Sequence, residues 1–243
     1  MVVSRFASTA TAPTPRRCSP FRRIAQAAER HNGARNSRLA PRPAAVVMGG
    51  MDLERFTRCS DTWKALALTG RAPENLPREA GTLASMQQLA DRLLVPLESE
   101  FGPATVTYGF AGPELIRAVY ARAHAEQRTP NVTPTKDQHA GHELTPTGAR
   151  ICKRDGFAVD LCFPGHDPYK VAEWIVSTLP YDRVYLFGRD RPMHLTWAPD
   201  PARYVVEMRP RAKGGGHTPV LFRSGPLLGE GLAEALRRGV PFG

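Results

Sequence analysis

A helical repeat of apolar residues between residues 83 and 97 is the strongest constraint on the fold. Its members are spaced three or four apart, which places them on one face of a helix; they are Leu83, Met86, Leu89, Ala90, Leu93, Leu94 and Leu97. The repeat predicts an amphipathic helix over 83–100, ended by Phe101-Gly102-Pro103. A second helix is predicted from Pro113 to about Ala125, because proline is favoured at the start of a helix.

Strands are predicted mainly after these helices. The β-branched and apolar runs that indicate them are 104–108, 157–163, 184–187, 193–197 and 204–208. Shorter helices are expected over 52–70, 168–179 and 229–238, with long loops over 127–155 and 209–226. Helices first and strands later predict an α+β fold with a small, mainly antiparallel sheet flanked by helices.

The net charge of +10 is concentrated in the first fifth of the chain. Residues 1–50 hold nine Arg, no Lys and one acid, so they carry +8. We interpret 1–50 as a disordered basic tail, either a transit segment or the product of a start codon placed too far upstream. Residues 51–243 are predicted to form one domain with a C-terminal extension from about 209. Since this part is nearly neutral, we do not expect it to bind nucleic acid.

Cysteine spacing and hydropathy limit the compartment. The four cysteines are far apart and include no CxxC pair; they are Cys18, Cys59, Cys152 and Cys162. They indicate reduced thiols in a reducing compartment. No apolar run approaches the roughly 18 residues of a membrane span, and no export signal is evident. We therefore expect a cytoplasmic monomer.

Histidines and one aspartate stand where a metal site could form. Asp160 lies in the apolar strand predicted over 157–163, and His194 lies in the second apolar strand, predicted over 193–197. A carboxylate between apolar strand residues is costly unless it is paired or binds metal. His139 and His142 lie three apart in the long loop, and a ligand pair can be built at that spacing. The alternatives are a solvated Asp160 and a packed His194.

The order of these residues resembles the D-alanyl-D-alanine carboxypeptidase family of zinc peptidases, whose fold is shared by hedgehog signalling domains. The resemblance covers about 83–200 and includes Gly156, Ala158 and Val159 around the aspartate. It implies that His139, Asp160 and His194 hold one Zn²⁺ with a fourth position open to water, as in catalytic zinc sites. In such sites zinc lowers the pKa of the bound water to about 7.

The chain also departs from the family pattern. His139 and Asp160 are 21 residues apart rather than seven, so 14 extra residues intervene and His142 is an alternative ligand. Tyr108 is expected to contact substrate, because it stands near the position of the family's substrate-binding Ser-x-x-Arg.

The family's catalytic base, usually Glu three residues before the last His, is replaced here by Arg191. Asp190 is the nearest carboxylate and is our candidate base. Arg189 or Arg191 could hold a substrate carboxylate. The alternative is that these three residues form only a charged turn.

The resemblance implies a zinc-dependent metallopeptidase or metallo-amidase. Its substrate would be a peptide or amide, such as a peptidoglycan stem peptide ending in D-Ala-D-Ala. The alternative is a non-catalytic zinc-binding or partner-binding module with the same fold. A third hypothesis, nucleic-acid binding, would depend on the basic tail alone.

Overall fold

The computed structural model describes residues 47–48, 51–58, 70–127, 130, 133–211 and 217–223. The α-helices are α1 (Glu54–Thr57), α2 (Ala80–Leu89), α3 (Val95–Phe101), α4 (Pro113–Ala125) and α5 (Pro168–Thr178). The strands are β1 (Val47–Met48), β2 (Met51–Asp52), β3 (Thr105–Tyr108), β4 (Phe157–Cys162), β5 (Arg183–Leu186), β6 (Met193–Trp197), β7 (Tyr204–Pro210) and β8 (His217–Arg223). The predicted α+β class is confirmed.

Six of the strands form one mixed sheet in the order β3-β4-β6-β5-β7-β8. All neighbours in this sheet are antiparallel except β5 and β7, which are parallel. The short strands β1 and β2 pair separately as an antiparallel ribbon. The direct pairing of β4 with β6 places Asp160 and His194 side by side.

The predicted helix over 83–100 is a continuous helical run that begins three residues earlier. A π-helical turn, Ala90–Leu94, joins α2 to α3. It ends two residues before Pro96, which lacks the N–H that the interior of an α-helix requires. Gly102 ends the run with φ +80°, a conformation that favours glycine.

The main core lies between one face of the sheet and the helices α2, α3 and α5. Alternate strand residues such as Val159, Leu161 and Leu195 are fully buried there, together with Leu93 and Ile175 from the helices. Because side chains alternate along a strand, the intervening residues face the opposite side of the sheet. That opposite side carries the polar groups.

A buried asparagine holds the segment between β3 and α4. Asn75 Nδ2 donates to Thr57 O at 2.7 Å and to Phe110 O at 2.9 Å, while its Oδ1 accepts from Gly112 N at 2.8 Å. Three backbone segments are thereby joined by one side chain. The arrangement fixes the chain just after Tyr108.

The prediction of loop over 209–226 is wrong at both of its described parts. β7 continues to Pro210, and β8 covers His217–Arg223 and pairs with β7. Pro219 and the lack of alternation in this segment concealed the strand. A proline is tolerated because β8 is the last strand in the order and needs few backbone donors.

Several predicted features lie wholly or partly outside the described residues. These are most of the basic tail, the helices over 52–70 and 229–238, and part of the loop over 209–226. Of the first helix the structure describes Glu54–Thr57. Within the described residues, no helix is both long and apolar enough to cross a membrane.

Candidate metal centre

Asp160 and His194 are brought together by strand register. They are direct partners in the β4–β6 pairing, and His194 is also the direct partner of Tyr185 in β5. Tyr108 pairs with Asp160 from the other side. These four residues therefore form a row across the sheet on the face away from the main core. Within it, His194 Nδ1 lies 2.8 Å from Asp160 Oδ1.

His139 reaches the same carboxylate from the long loop. It lies in the short 3₁₀ turn Gln138–Ala140, its side chain is 3% exposed, and its Nε2 is 3.4 Å from Asp160 Oδ1. Its Nδ1 is 2.8 Å from Gly109 O. Because a carbonyl oxygen can only accept, Nδ1 carries a proton and Nε2 is the atom available to a metal.

The backbone also ties His139 to the segment after β3. Ala111 N donates to His139 O at 3.0 Å, and Phe110 N donates to Phe56 O at 2.7 Å. A Cβ on Gly109 would lie 2.4 Å from Phe56 O, so only glycine fits between α1 and the histidine. The carbonyl that orients the imidazole is thus fixed by close packing.

A second glycine determines how β4 begins. Gly156 has φ +98°, and a Cβ there would lie 1.9 Å from Trp197 O. The backbone of β4 consequently approaches β6 more closely than any other residue would allow. This gives a physical reason for the glycine four residues before Asp160.

Two imidazoles and one carboxylate form a group that could hold a metal ion. One donor atom from each of His139, Asp160 and His194 lies within 4.8 Å of the others. Asp160 Oδ1 lies 3.4 Å from His139 Nε2 and 2.8 Å from His194 Nδ1. Neighbouring ligands of a tetrahedral zinc ion are roughly 3.3 Å apart, given bonds of about 2.0–2.1 Å. The donor set is one that such an ion takes, the His139–Asp160 spacing matches this value, and the His194–Asp160 spacing is about 0.5 Å shorter.

Electrostatics keep the carboxylate ionised. Burial acts to raise the pKa of Asp160, but the charges and hydrogen bonds of His139 and His194 outweigh it and hold that pKa well below its usual range. For His139 burial acts to lower the pKa, and the Asp160 carboxylate outweighs it, so the pKa of His139 is raised. The Asp160 carboxylate and the protonated form of His139 therefore stabilise each other in the metal-free group.

His194 has an unsatisfied ring nitrogen. Its Nε2 is buried and has no hydrogen-bond partner among the described residues. The Tyr185 ring lies 5.0 Å from the His194 ring, centroid to centroid, and the His139 ring lies 4.9 Å away. A buried polar atom without a partner is uncommon in folded proteins and marks this position as more than packing.

His142, the alternative ligand, faces α2 instead. Its Nε2 is 3.2 Å from Ser85 Oγ, and its ring packs beside Gly81. Burial and the nearby Arg150 lower its pKa. The group that could hold a metal contains His139 rather than His142.

The residues between His139 and Asp160 fold back on themselves. Ile151 N donates to Glu143 O at 3.0 Å, and Leu144 forms a bridge with Arg150. The Glu143 carboxylate accepts hydrogen bonds at the start of α2, from Arg78 N, Glu79 N and Thr82 Oγ1. The extra 14 residues thus form a hairpin-like loop, and the chain on either side of this loop remains near the site.

Three of the residues proposed for catalysis and substrate binding lie in the turn between β5 and β6 and not in the metal group. Arg189 forms an ion pair with Asp167, and its guanidinium lies 4.9 Å from the centre of the Tyr169 ring. Asp190 and Arg191 are exposed in the turn between β5 and β6.

Tyr108, by contrast, is buried, with its ring centroid 4.4 Å from that of His139. The proposed roles of Tyr108, Arg189, Asp190 and Arg191 stay predictions.

Sequence reasoning missed two contributors beside the donors. Tyr185 borders His194, and its position could have been found only from the β5–β6 register. Gln138, which directly precedes His139, is 1% exposed and donates a hydrogen bond to Asp182. Neither Cys152 nor Cys162 belongs to the donor group.

Comparisons of the chain with protein-family models, curated proteins and solved structures found no match.

Proposed function

We propose that this chain is a zinc-dependent hydrolase that cleaves a peptide or amide bond. The observation that carries the proposal is the convergence of His139, Asp160 and His194 from a loop and two strands. Two imidazoles plus one carboxylate are the protein ligands of several catalytic zinc sites, in which one position stays open. We also propose that the fold is of the hedgehog/D-alanyl-D-alanine carboxypeptidase type.

The residues of this chain would have separate roles in metal binding and proton transfer. His139, Asp160 and His194 would hold Zn²⁺, with the Gly109 carbonyl orienting His139. Zinc, when bound, supplies Lewis acidity toward a water molecule and a carbonyl oxygen. Asp190 would accept the proton of the attacking water and pass it to the leaving amine.

Substrate binding would involve Arg191 and Tyr108. Arg191 is the better candidate for a substrate carboxylate, because Arg189 is already engaged by Asp167. Tyr108 packs against His139 and would border the substrate at the metal. The proposed substrate class is a small peptide, such as a peptidoglycan stem peptide ending in D-Ala-D-Ala. A cytoplasmic location and a monomeric state belong to the same proposal.

A non-catalytic zinc-binding or partner-binding module is the second candidate. The observation that favours it is the solvent exposure of Asp190, together with the arginine at the position three residues before His194. Among the described residues, no further carboxylate joins the donor group. In this second candidate the chain binds zinc but does not catalyse hydrolysis.

Metal analysis of the full chain tests the shared part of both candidates. We expect about one zinc per chain in the wild type, loss of zinc in His139→Ala and Asp160→Ala, and retention in the matched control His142→Ala. Retained zinc in both ligand variants, or no zinc in the wild type, would refute the proposal.

Hydrolysis separates the two candidates. The zinc-loaded protein should release D-Ala from D-Ala-D-Ala or from a stem peptide. Asp190→Asn should keep the zinc and lose most of this activity, whereas the exposed control Asp200→Asn should keep both. Zinc binding without hydrolysis of any peptide in such a panel would favour the binding module.

A further inference from the structure

A single buried carboxylate is hydrogen-bonded to several segments around the metal group. Asp182 directly precedes β5 and is 1% exposed. Its four donors are Gln138 Nε2 at 2.9 Å, Thr196 Oγ1 at 3.1 Å, Arg183 Nη1 at 2.6 Å and Ala202 N at 2.7 Å. A buried charge with this many partners is fully satisfied and therefore rigid.

Its partners lie beside the metal-binding side chains in sequence. Gln138 directly precedes His139 in the 3₁₀ turn, and Thr196 follows His194 by two residues in β6, on the same face. Gln138 Nε2 also donates to Asp155 O at 3.0 Å, just before the chain enters the strand of Asp160. One carboxylate and one amide thus join all three ligand-bearing segments.

The orientation of the Gln138 amide is determined by these contacts. Its Nε2 lies between two acceptors, the Asp182 carboxylate and the Asp155 carbonyl, so a flipped amide would place an oxygen against both. Its Oε1 is buried with no hydrogen-bond partner among the described residues. The two Nε2 bonds are therefore what hold this side chain, and with it the turn that presents His139.

We propose that Asp182 is a positioning residue for the metal group, acting through Gln138 and Thr196 rather than as a ligand. The inference depends on the metal-binding part of the proposed function and is independent of hydrolysis. Outer-shell partners of metal ligands commonly contribute 10–100-fold in metal affinity. Asp182 fits that class because it hydrogen-bonds the segments that carry the ligands and does not bind the metal itself.

Asp182→Asn is the first test. In either orientation, the NH₂ of the new asparagine faces a group that is itself a donor, either Gln138 Nε2 or Ala202 N. At least one buried donor therefore loses its hydrogen bond. We expect zinc affinity, measured by chelator competition, to fall about 10–100-fold. The d–d spectrum of the Co²⁺-substituted protein should shift, since it reports the geometry of the ligands.

Gln138→Leu is the second test, and it leaves the Asp182 carboxylate in place. It should weaken zinc binding to a similar degree, and the double variant should lose little more than the worse single variant, because both act along one path.

The matched control is Glu98→Gln. Glu98 also ties separate segments together, through Arg55 and the backbone N of Ala104, but it is not connected to Asp182. This variant should lower stability and leave zinc affinity within about twofold of the wild type, because the 10–100-fold effect belongs to partners of metal ligands.

A readout without metal completes the experiment. Ala111 N donates to His139 O, so its amide hydrogen exchange reports whether the turn is held. In metal-free Asp182→Asn and Gln138→Leu, exchange at Ala111 should accelerate about tenfold relative to Leu195 in central β6.

The outcomes distinguish this inference from the proposed function. Wild-type zinc affinity together with wild-type Ala111 exchange in Asp182→Asn would overturn the inference, leaving Asp182 a stabilising residue only. If the wild-type protein binds no zinc, the proposed function fails, and Ala111 exchange still decides whether Asp182 positions His139.

Discussion

The pH dependence of zinc binding provides the sharpest test of the candidate site, because protons occupy the positions that a metal would take. In the metal-free protein, His194 Nδ1 donates to Asp160, and His139 Nε2 lies 3.4 Å from the same oxygen. Zinc must displace these protons to bind. Its affinity should therefore fall as the pH is lowered.

The magnitude follows from the raised pKa of His139. At 3.4 Å the imidazolium–carboxylate attraction is about 5 kcal/mol for an effective dielectric constant of about 20. This attraction outweighs the cost of burial and lifts the His139 pKa above its usual range near 6.5. Below that raised pKa, each pH unit should weaken zinc binding at least about tenfold, or 1.4 kcal/mol. Asp160 stays ionised there, because its own pKa is held far below.

Stability of the metal-free protein should change in the opposite direction. A raised His139 pKa gives stabilisation that is complete below about 6.5 and lost as the pH rises through the folded-state value. The lowered Asp160 pKa gives stabilisation that is complete above about 3.9 and lost as the pH falls through its folded-state value. The pair therefore stabilises the metal-free fold most between these limits. The gain in Tm on adding zinc should grow as the pH rises above about 6.5.

Calorimetric titration of zinc in buffers of different ionisation enthalpy measures both the affinity and the number of protons released. Asp160→Asn is the informative variant: it removes the charge that raises the His139 pKa, so the remaining, weaker binding should persist to lower pH. An affinity that is constant from about pH 5.5 to 6.5, where a change of about tenfold is expected, would refute the assignment. So would binding without proton release.

Two further predictions concern the scaffold that presents the site. Gly156→Ala should cost more than about 3 kcal/mol or prevent folding, because its Cβ would lie 1.9 Å from Trp197 O; denaturant unfolding should show a much smaller change for Gly148→Ala, which also has positive φ but has open space around it. Asn75→Ala removes the hydrogen bonds to Thr57 O, Phe110 O and Gly112 N, and should lower the free energy of unfolding by about 2–4 kcal/mol. Near-wild-type stability of either variant would contradict the packing described for the segments flanking the site.

Elements with a clear period were predictable from sequence, and those without one were not. The helix Pro113–Ala125 and the strand Met193–Trp197 have the predicted bounds, because a proline or an apolar run marks them locally. β8 was missed because Pro219 interrupts its pattern, and a proline within a run argues against a strand unless the strand lies at a sheet edge. Its pairing with β7 is a tertiary fact that no local signal carries.

The donor residues were predictable as candidates, but their selection depends on contacts distant in sequence. The family resemblance favoured His139 over His142, but nothing in the physical chemistry of the loop sequence separates the two. The difference arises 30 and 57 residues away, where Gly109 O orients His139 and Ser85 engages His142. Asp182 escaped notice as part of the site for the same reason: its partnership with Gln138 spans 44 residues.

The long separation of His139 and Asp160 bears on how much weight motif spacing deserves. Lengthening a flexible connection from seven to 21 residues raises the entropic cost of closing it by only about 1 kcal/mol. The internal hydrogen bond from Ile151 N to Glu143 O shortens the effective loop further. An insertion of this size is therefore compatible with a formed site. The strict requirements are the Asp160–His194 register and the close approach of Gly109 to His139, neither of which sequence spacing measures. A search for such sites should accordingly weigh the glycines and the strand pairing above the distance between ligands.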